Sequence, residues 1–237
     1  AETDPNRPLK TEFDATGYVM IPSFLSAEEL TALYAHLDRF IREIVPTLPP
    51  DQVFYDDKGR SDTLKQIQAM HRHDPFFQST FLGSKFERLA ETLLGEPVTG
   101  KNMQYFNKAP NYSQPTPPHQ DGYYFMLEPC HALTMWLALD PVDEENGCVR
   151  YVPQSHTRGM REHYRTNVLG FSQGIPDYGR PEDVEIPFPA RPGDLLAHHA
   201  LTIHRADGNR SATRTRRSLG FIYYGQSSRE YTAAHAE

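Results

Sequence analysis

Hydrophobic residues in the first hundred positions recur at the spacing of amphipathic helices. Ser26-Ala-Glu-Glu29 has the form of a capping box, in which the serine and glutamate side chains bond each other's backbone N–H groups. The apolar positions that follow at helical spacing, before Pro46 ends the pattern, are Leu30, Leu33, Leu37, Phe40, Ile41 and Ile44. Asp74-Pro75 predicts the start of a brief helix, and a further amphipathic helix is predicted over 85–94, closed by a glycine.

The remaining N-terminal segments carry weaker patterns. Residues 1–12 are polar and predict a loosely held arm, and residues 13–24 predict a short strand that leaves a turn at Gly17. The segment 46–63 is rich in Pro, Asp and Gly, which predicts a surface loop. Residues 63–68 predict a short strand at the edge of the core.

From residue 100 onward the pattern changes to short β-type segments separated by Pro and Gly turns. The predicted strands are 103–106, 133–139, 148–152, 184–188, 194–199 and 217–224. Helices followed by many short strands indicate an antiparallel β core with helices packed on one side. The prediction is a mainly β fold, a double-stranded β-helix or jelly roll of the cupin-like kind. We expect one domain over 1–237, with a helical part at about 26–95 packed on a core at about 100–226.

Composition narrows the class of protein. A formal net charge of −7 argues against a general binder of nucleic acid or of anionic membranes. Cys130 and Cys148 are too few for a secreted disulfide scaffold, so a cytoplasmic location is expected. No apolar run is long enough to span a bilayer. The expected partner is therefore a small molecule, and the oligomeric state is left open.

The strongest candidate chemistry is His119 and Asp121 in the segment 117–125. Separated by one residue, the imidazole and the carboxylate project to the same side of an extended segment. Two ligands hold a catalytic metal poorly, and the best third ligand is His204, in a β-rich run that follows the turn Pro192-Gly193. Two histidines and one carboxylate on one face of a metal are typical of non-haem Fe(II) oxygenases.

Other histidines fit the site less well. His71 and His73 share the one-residue separation, but they adjoin the helix-opening Asp74-Pro75 and are interpreted as solvated or capping residues. His198 and His199 lie on the same run as His204. We interpret them as flanking residues and as residues behind the ligands, with His199 on the other face if the strand stays regular.

Each candidate also has a purely structural interpretation. A hydrogen-bonded His and Asp in a turn would explain His119 and Asp121, and core packing is the default for Trp136, the only tryptophan. A solvated cluster of arginines would explain Arg216. Alternation along a strand lets only one of Arg216 and Arg217 face inward, and we choose Arg216, with Arg217 as the alternative.

The chain resembles the phytanoyl-CoA dioxygenase family of Fe(II)/2-oxoglutarate oxygenases from about residue 13 to residue 224. The segments that carry the resemblance are 118–121, 135–139, 145–156, 192–194, 203–204 and 216–224. The resemblance implies a jelly roll that uses Fe(II), 2-oxoglutarate and O2. In that family, oxidative decarboxylation of 2-oxoglutarate to succinate and CO2 is coupled to hydroxylation of a second substrate.

Carried over to this sequence, the resemblance implies that His119, Asp121 and His204 are the iron ligands. It also implies a cosubstrate site, with Arg216 under the distal carboxylate of 2-oxoglutarate. The positions that border the cosubstrate in relatives match Trp136, Gln104 and Lys65. Related halogenases lack the carboxylate ligand, so the presence of the aspartate favours hydroxylation.

Two departures from the family pattern affect the cosubstrate site. The usual spacing from the distal histidine to the arginine would select Thr215, and one inserted residue within 207–213 is needed to select Arg216. Ala206 stands where many members carry a serine that helps hold the cosubstrate. One hydrogen bond is therefore missing or supplied from elsewhere in the fold.

Aromatic and polar residues near the expected mouth are candidates for binding the organic substrate: Tyr123, Tyr124, Phe125, His131, Arg158 and Tyr178. They fit a natural-product or lipid-like metabolite of secondary metabolism. Other classes stay open, namely a metal-binding jelly-roll isomerase or binding protein that does not use 2-oxoglutarate, and a non-enzymatic carbohydrate-binding module. Within the oxygenases, desaturation and oxidative cyclisation also stay open, because both begin with the same hydrogen-atom abstraction as hydroxylation.

Overall fold

The structure is a computed structural model that describes residues 7–169 and 171–231. Its α-helices are α1 Arg7–Thr16, α2 Ala27–Arg39, α3 Pro75–Phe81, α4 Lys85–Leu94 and α5 Gly122–Phe125. Its strands are β1 Tyr18–Ile21, β2 Val53–Tyr55, β3 Leu64–Ile67, β4 Val98–Lys108, β5 Thr116–His119, β6 Leu127–Glu128, β7 Ala132–Ala138, β8 Val149–Tyr151, β9 Tyr164–Val168, β10 Phe171–Gly174, β11 Ile186–Phe188, β12 Leu195–His199, β13 His204–Ala206, β14 Arg216–Gly225 and β15 Arg229–Glu230.

Two antiparallel sheets face each other and form a jelly roll. The larger sheet has seven strands in the order β1-β12-β7-β14-β4-β3-β2, and the smaller has four in the order β11-β8-β13-β5. The pairs β9–β10 and β6–β15 form separate ribbons. The prediction of a mainly β jelly roll with flanking helices is confirmed. Three strands of the larger sheet come from the first hundred residues, so the N-terminal part is joined to the core by backbone hydrogen bonds as well as by packing.

The helices begin where the local sequence predicts. Ser26 and Glu29 form the capping box at the start of α2, which continues as a π-helical turn through Ile44. Asp74 accepts hydrogen bonds from two backbone N–H groups at the start of α3. Gly95 ends α4 with a φ of 73°, a conformation that glycine adopts without a steric cost.

Three local predictions are wrong. Residues 7–16 form a helix where we expected a loose arm and the start of a strand, because Phe13 is buried in the main core and the i,i+4 pair Lys10–Asp14 supports the helix. The segment expected to be a surface loop contains β2. Because β2 pairs with β3, the strand predicted at the edge of the core is not an edge strand.

The larger sheet separates the hydrophobic core from the cavity. Its outer face packs against the helices through side chains that include Met103, Leu133, Met135, Leu137, Leu219 and Phe221. Burial of each such side chain contributes roughly 1.5–3 kcal/mol. The alternate residues face the smaller sheet and line a cavity of about 560 Å³. Within the described ranges, no helix combines the length and the apolarity needed to cross a bilayer.

Candidate active site

The three predicted ligands lie together at one end of the smaller sheet. His119 ends β5 and His204 begins β13, and the two residues are partners across the antiparallel ladder. Asp121 follows His119 at the start of α5, where the chain turns back toward the cavity. One ligand atom from each residue lies within 4.8 Å of the other two. Pairing of β5 with β13 therefore brings His204 next to His119 and Asp121, although it lies 83 to 85 residues away in sequence.

The hydrogen bonds of the two histidines show which ring nitrogen faces Asp121. Nδ1 of His119 lies 2.7 Å from the carbonyl oxygen of Pro117, and Nδ1 of His204 lies 3.0 Å from that of Thr202. A carbonyl oxygen only accepts, so both Nδ1 atoms carry a proton and both rings turn their Nε2 atoms toward the carboxylate.

The donor set fits a cation on these grounds. Nε2 of His119 lies 3.1 Å and Nε2 of His204 lies 3.3 Å from Oδ1 of Asp121. Three lone-pair atoms this close repel each other unless a proton or a metal ion lies between them. Donors at ~2.1 Å from an octahedral divalent ion are separated by roughly 3.0 Å, which the observed spacing approaches. Two imidazoles and one carboxylate are the ligand types of non-haem Fe(II) sites.

The carboxylate of Asp121 is buried and strongly hydrogen-bonded. Burial by itself raises the pKa of this group, but the charge of His204 and hydrogen bonds from the surrounding histidines hold the pKa well below its usual range. Its second oxygen, Oδ2, accepts hydrogen bonds from Thr134 Oγ1 at 2.7 Å and from His198 Nε2 at 2.8 Å. The residue is therefore ionised in the fold.

Arg216 lines the same cavity and is 5% exposed. Its Nη1 donates to the carbonyl of Gly147 at 2.8 Å, its Nε is buried without a partner, and its guanidinium lies 5.3 Å from the ring centre of Trp136. Burial lowers the pKa of Arg216 to about 10. Among the described residues no carboxylate lies within ion-pair distance of it, so the cavity contains a buried cation whose own fold supplies no counterion.

The other cosubstrate candidates divide into two groups. Trp136 and Gln104 line the cavity on the inner face of the larger sheet, and Gln104 donates to Oε1 of Gln68 at 2.8 Å. Lys65 is buried 3.9 Å from Asp56 and lies outside the cavity lining. Burial lowers its pKa, and the nearby Asp56 opposes that shift.

Two of the six predicted substrate residues, Tyr124 and Phe125, line the cavity. Tyr123 stacks on His163 with ring centres 4.3 Å apart, and His131 is paired with Glu96. Arg158 donates to a backbone carbonyl and Tyr178 to Glu185. These four residues lie outside the lining. Further lining residues that sequence reasoning did not select include Gln68, Arg72, Lys101, Asn102, Ile222 and Tyr224.

Sequence reasoning also missed the residues that support the site. Tyr151, which is hydrogen-bonded to His198, and Thr116, which lines the cavity, were not selected, and their positions depend on the pairing of strands that are distant in sequence. Thr134 was assigned to the same face as Trp136, which was a usable signal. His198 and His204 lie on different strands in different sheets, yet His198 does face the site and His199 does face away, toward Phe13.

Comparison with known proteins places the chain in a known family. The profile of the phytanoyl-CoA dioxygenase family matches residues 13–218. Phytanoyl-CoA dioxygenase domain-containing protein 1 of Mus musculus is 26% identical, with 84% of each chain covered. Phytanoyl-CoA dioxygenase of Arabidopsis thaliana is 27% identical, with 84% of this chain and 82% of that protein covered.

Solved structures share the fold. The non-haem alpha-ketoglutarate-dependent carbocyclase SnoK from nogalamycin biosynthesis is 26% identical with a TM-score of 0.74, covering 96% of this chain and 86% of its own. EctD from S. alaskensis with bound Fe is 18% identical with a TM-score of 0.79, covering 98% and 82%. At that identity, the likeness to EctD concerns the fold alone.

Proposed function

The chain belongs to the phytanoyl-CoA dioxygenase family, and from this premise we propose that it is an Fe(II)/2-oxoglutarate-dependent oxygenase that hydroxylates an unactivated C–H bond of a small organic molecule. Iron and 2-oxoglutarate, when bound with O2, supply the oxidising chemistry, with release of succinate and CO2. The observation that carries the proposal is the buried Arg216, which faces the same cavity as the His-Asp-His cluster and lacks a carboxylate partner in the described chain.

The proposed iron ligands are His119, Asp121 and His204. Support comes from the protonated Nδ1 atoms, which fix both imidazoles with Nε2 toward the carboxylate before any ion arrives. The low pKa of Asp121 keeps it ionised, so no proton has to leave it on metal binding.

The proposed cosubstrate site extends from the ligands to Arg216. A planar guanidinium can pair with a carboxylate through two parallel hydrogen bonds, which suits the distal carboxylate of 2-oxoglutarate. Trp136 and Gln104 would form the walls beside it. The role of Lys65 as a residue that borders the cosubstrate stays a prediction, and its buried ammonium group lies 3.9 Å from Asp56.

The proposed substrate site is the outer part of the cavity. Phe125 and Tyr224 pack with ring centres 5.1 Å apart, and Ile222 adds apolar surface beside them. Gln68, Asn102, Arg72 and Lys101 supply polar groups on the same lining. This mixture fits a natural-product or lipid-like metabolite that has an apolar body and a few oxygen substituents. Such a substrate would also exclude water from the reacting centre.

One comparison favours a second outcome. The carbocyclase that is 26% identical to this chain is described as dependent on alpha-ketoglutarate. Oxidative ring closure is therefore the second candidate reaction at the same site. Mass analysis of the product separates the two, because hydroxylation adds an oxygen atom and ring closure removes a pair of hydrogen atoms.

The test is an anaerobic titration of the protein with Fe(II) and 2-oxoglutarate, followed by the weak visible charge-transfer band of the chelated cosubstrate. We expect a saturable band in the wild-type protein and none in Asp121→Ala. Succinate release with a panel of metabolites then identifies the substrate. Metal binding without the band would favour an isomerase or binding protein that does not use 2-oxoglutarate.

A further inference from the structure

The two carboxylate oxygens of Asp121 have different neighbours. The residues near Oδ1 belong to the smaller sheet, and those near Oδ2 belong to the larger sheet. On the Oδ1 side, the smaller sheet contributes the cross-strand partners His119 and His204. On the Oδ2 side, the larger sheet contributes Thr134 and His198, which are themselves cross-strand partners on β7 and β12. One oxygen therefore faces the proposed ligands, while the other accepts two hydrogen bonds from the opposite wall.

His198 is held in one orientation by a residue behind it. Its Nδ1 lies 2.7 Å from the hydroxyl oxygen of Tyr151, and both side chains are buried. Because a carboxylate only accepts, Nε2 of His198 must carry the proton that it shares with Asp121. The Nδ1 atom on the other side of the ring is hydrogen-bonded to the Tyr151 hydroxyl. Both ring nitrogens have a partner, so rotation of the ring would break two buried hydrogen bonds.

We propose that His198, supported by Tyr151 and acting with Thr134, is a positioning residue that restricts Asp121 to binding the metal through Oδ1 alone. The inference rests on the proposed function, since it takes His119, Asp121 and His204 as the ligands. A carboxylate that offered both oxygens would fill one of the open coordination positions that the cosubstrate and O2 need. To bind through both oxygens, the carboxylate would have to rotate and bring Oδ2 to the metal. The hydrogen bonds from His198 and Thr134 to Oδ2 oppose that rotation, and neither residue contacts the metal.

The test compares His198→Phe with His199→Phe in the full-length protein, using Co(II) as a spectroscopic substitute for Fe(II). The two residues are consecutive on β12, and the same substitution removes an imidazole from opposite faces of the strand. We expect His198→Phe to weaken Co(II) binding about 10- to 100-fold, as loss of hydrogen bonds behind metal ligands does. We expect its visible Co(II) spectrum to change because the carboxylate can rotate. His199→Phe should leave both properties unchanged.

A conservative variant separates positioning from packing. The amide of His198→Gln can still donate to Oδ2, so we expect it to keep most of the Co(II) affinity that His198→Phe loses. If His198→Phe does not fold, Tyr151→Phe removes only the supporting hydroxyl and should produce a smaller loss of affinity in the same direction. Wild-type Co(II) affinity and spectrum in whichever of these two variants folds would overturn the proposal.

The outcome is distinguishable from a failure of the proposed function. If the wild-type protein with Fe(II) develops no charge-transfer band with 2-oxoglutarate, the assignment as an oxygenase is wrong. The Co(II) comparison between positions 198 and 199 does not depend on the cosubstrate, so it still decides whether His198 positions Asp121.

Discussion

Arg216 and Arg217 are consecutive in β14, yet among the residues that the structure describes only Arg217 has a carboxylate partner. Arg217 forms a two-pronged ion pair with Asp140, with the shortest N–O distance at 2.9 Å, and its guanidinium lies 5.7 Å from the ring centre of Tyr34. Arg216 faces the cavity with Nε buried and unpartnered. Alternation of side chains along a strand produces this division, which favours Arg216 over its neighbour as the cosubstrate residue.

Replacing each arginine with glutamine should produce opposite effects. Arg216→Gln should abolish the thermal stabilisation that 2-oxoglutarate gives to the Fe(II)-loaded protein, because its distal carboxylate loses a charged partner. It should not destabilise the ligand-free protein, since a buried cation without a counterion is costly. Arg217→Gln removes the charged partner of Asp140, which keeps hydrogen bonds from Thr215 Oγ1 and from the backbone N–H of residue 217, and should lower the free energy of unfolding by roughly 1–3 kcal/mol. Melting curves with and without 2-oxoglutarate measure both effects.

Each arginine variant serves as the control for the other. Arg217→Gln should keep the melting-temperature shift on addition of 2-oxoglutarate, because its side chain does not line the cavity. A normal shift in Arg216→Gln, with the shift lost in Arg217→Gln, would exchange the roles of the two residues.

Thr116 and Ala206 are partners across the ladder of β5 and β13, and both line the cavity. The family resemblance led us to expect a serine at the position of Ala206, and Thr116 is the hydroxyl-bearing residue on the facing strand. We expect Thr116→Val to weaken 2-oxoglutarate binding about tenfold, the effect of losing roughly 1.5 kcal/mol from a hydrogen bond to a charged group. The charge-transfer titration measures this affinity.

Ala206→Ser tests whether the two positions are equivalent. In the Thr116→Val background, the added hydroxyl should restore most of the lost affinity, whereas in the wild-type background it should add little. Equal gains in both backgrounds would mean that Thr116 contributes nothing to the cosubstrate site.

Local sequence patterns predicted those features of this fold that are stabilised locally. The capping box of Ser26 and Glu29 and the glycine that ends α4 involve residues within a few positions of each other, so they could be predicted from the sequence. The same holds for the alternation that separates Thr134 and Trp136 from Met135. The motif around His119 and Asp121 was also local, and His204 was chosen as the third ligand from its β-rich run, in agreement with the family resemblance.

Features that depend on contacts between residues distant in sequence could not be predicted from local patterns. The helix α1 has few apolar residues, and burial of Phe13 in the main core compensates for its weak pattern. The contact of Tyr151 with His198 joins residues 47 positions apart on different sheets. The pairing of Thr116 with Ala206 depends on a register shift in β5, and one such shift changes which side chains face the cavity.

His163 is a buried titratable residue that contacts the segment carrying His119 and Asp121, so its protonation should affect the stability of the fold. Its Nε2 accepts a hydrogen bond from the backbone N–H of Gln120 at 3.0 Å, and its Nδ1 donates to the carbonyl of Arg161. Burial lowers the pKa of His163 to about 4. Because this is below the pKa of ~6.5 in an unfolded chain, the stabilising contribution is complete above about pH 6.5. It is lost as the pH falls from there through about 4, where the ring must protonate.

We therefore expect the metal-free wild-type protein to lose more thermal stability between pH 7 and pH 4 than His163→Gln, whose amide oxygen can accept the same hydrogen bond without titrating. The difference should be at least ~2 °C in melting temperature, the effect of roughly 1 kcal/mol in a chain of this size. Parallel pH profiles of the two proteins would show that protonation of His163 is not coupled to folding.

Phe125 and Arg158 provide the sharpest test of where the substrate binds, because both were predicted to contact it and only Phe125 lines the cavity. Phe125→Ala removes one ring of the apolar wall and should raise KM for the primary substrate by roughly 10-fold or more, since loss of a buried aromatic contact weakens binding by at least ~1.5 kcal/mol. Affinity for 2-oxoglutarate should not change, because Phe125 is not one of the proposed cosubstrate residues Arg216, Trp136 and Gln104. Arg158 is exposed and donates to a backbone carbonyl, so Arg158→Ala should leave KM unchanged. A raised KM in Arg158→Ala with a normal one in Phe125→Ala would place the substrate outside this cavity, on the surface around residues 155–158, and would separate the substrate site from the lining described above.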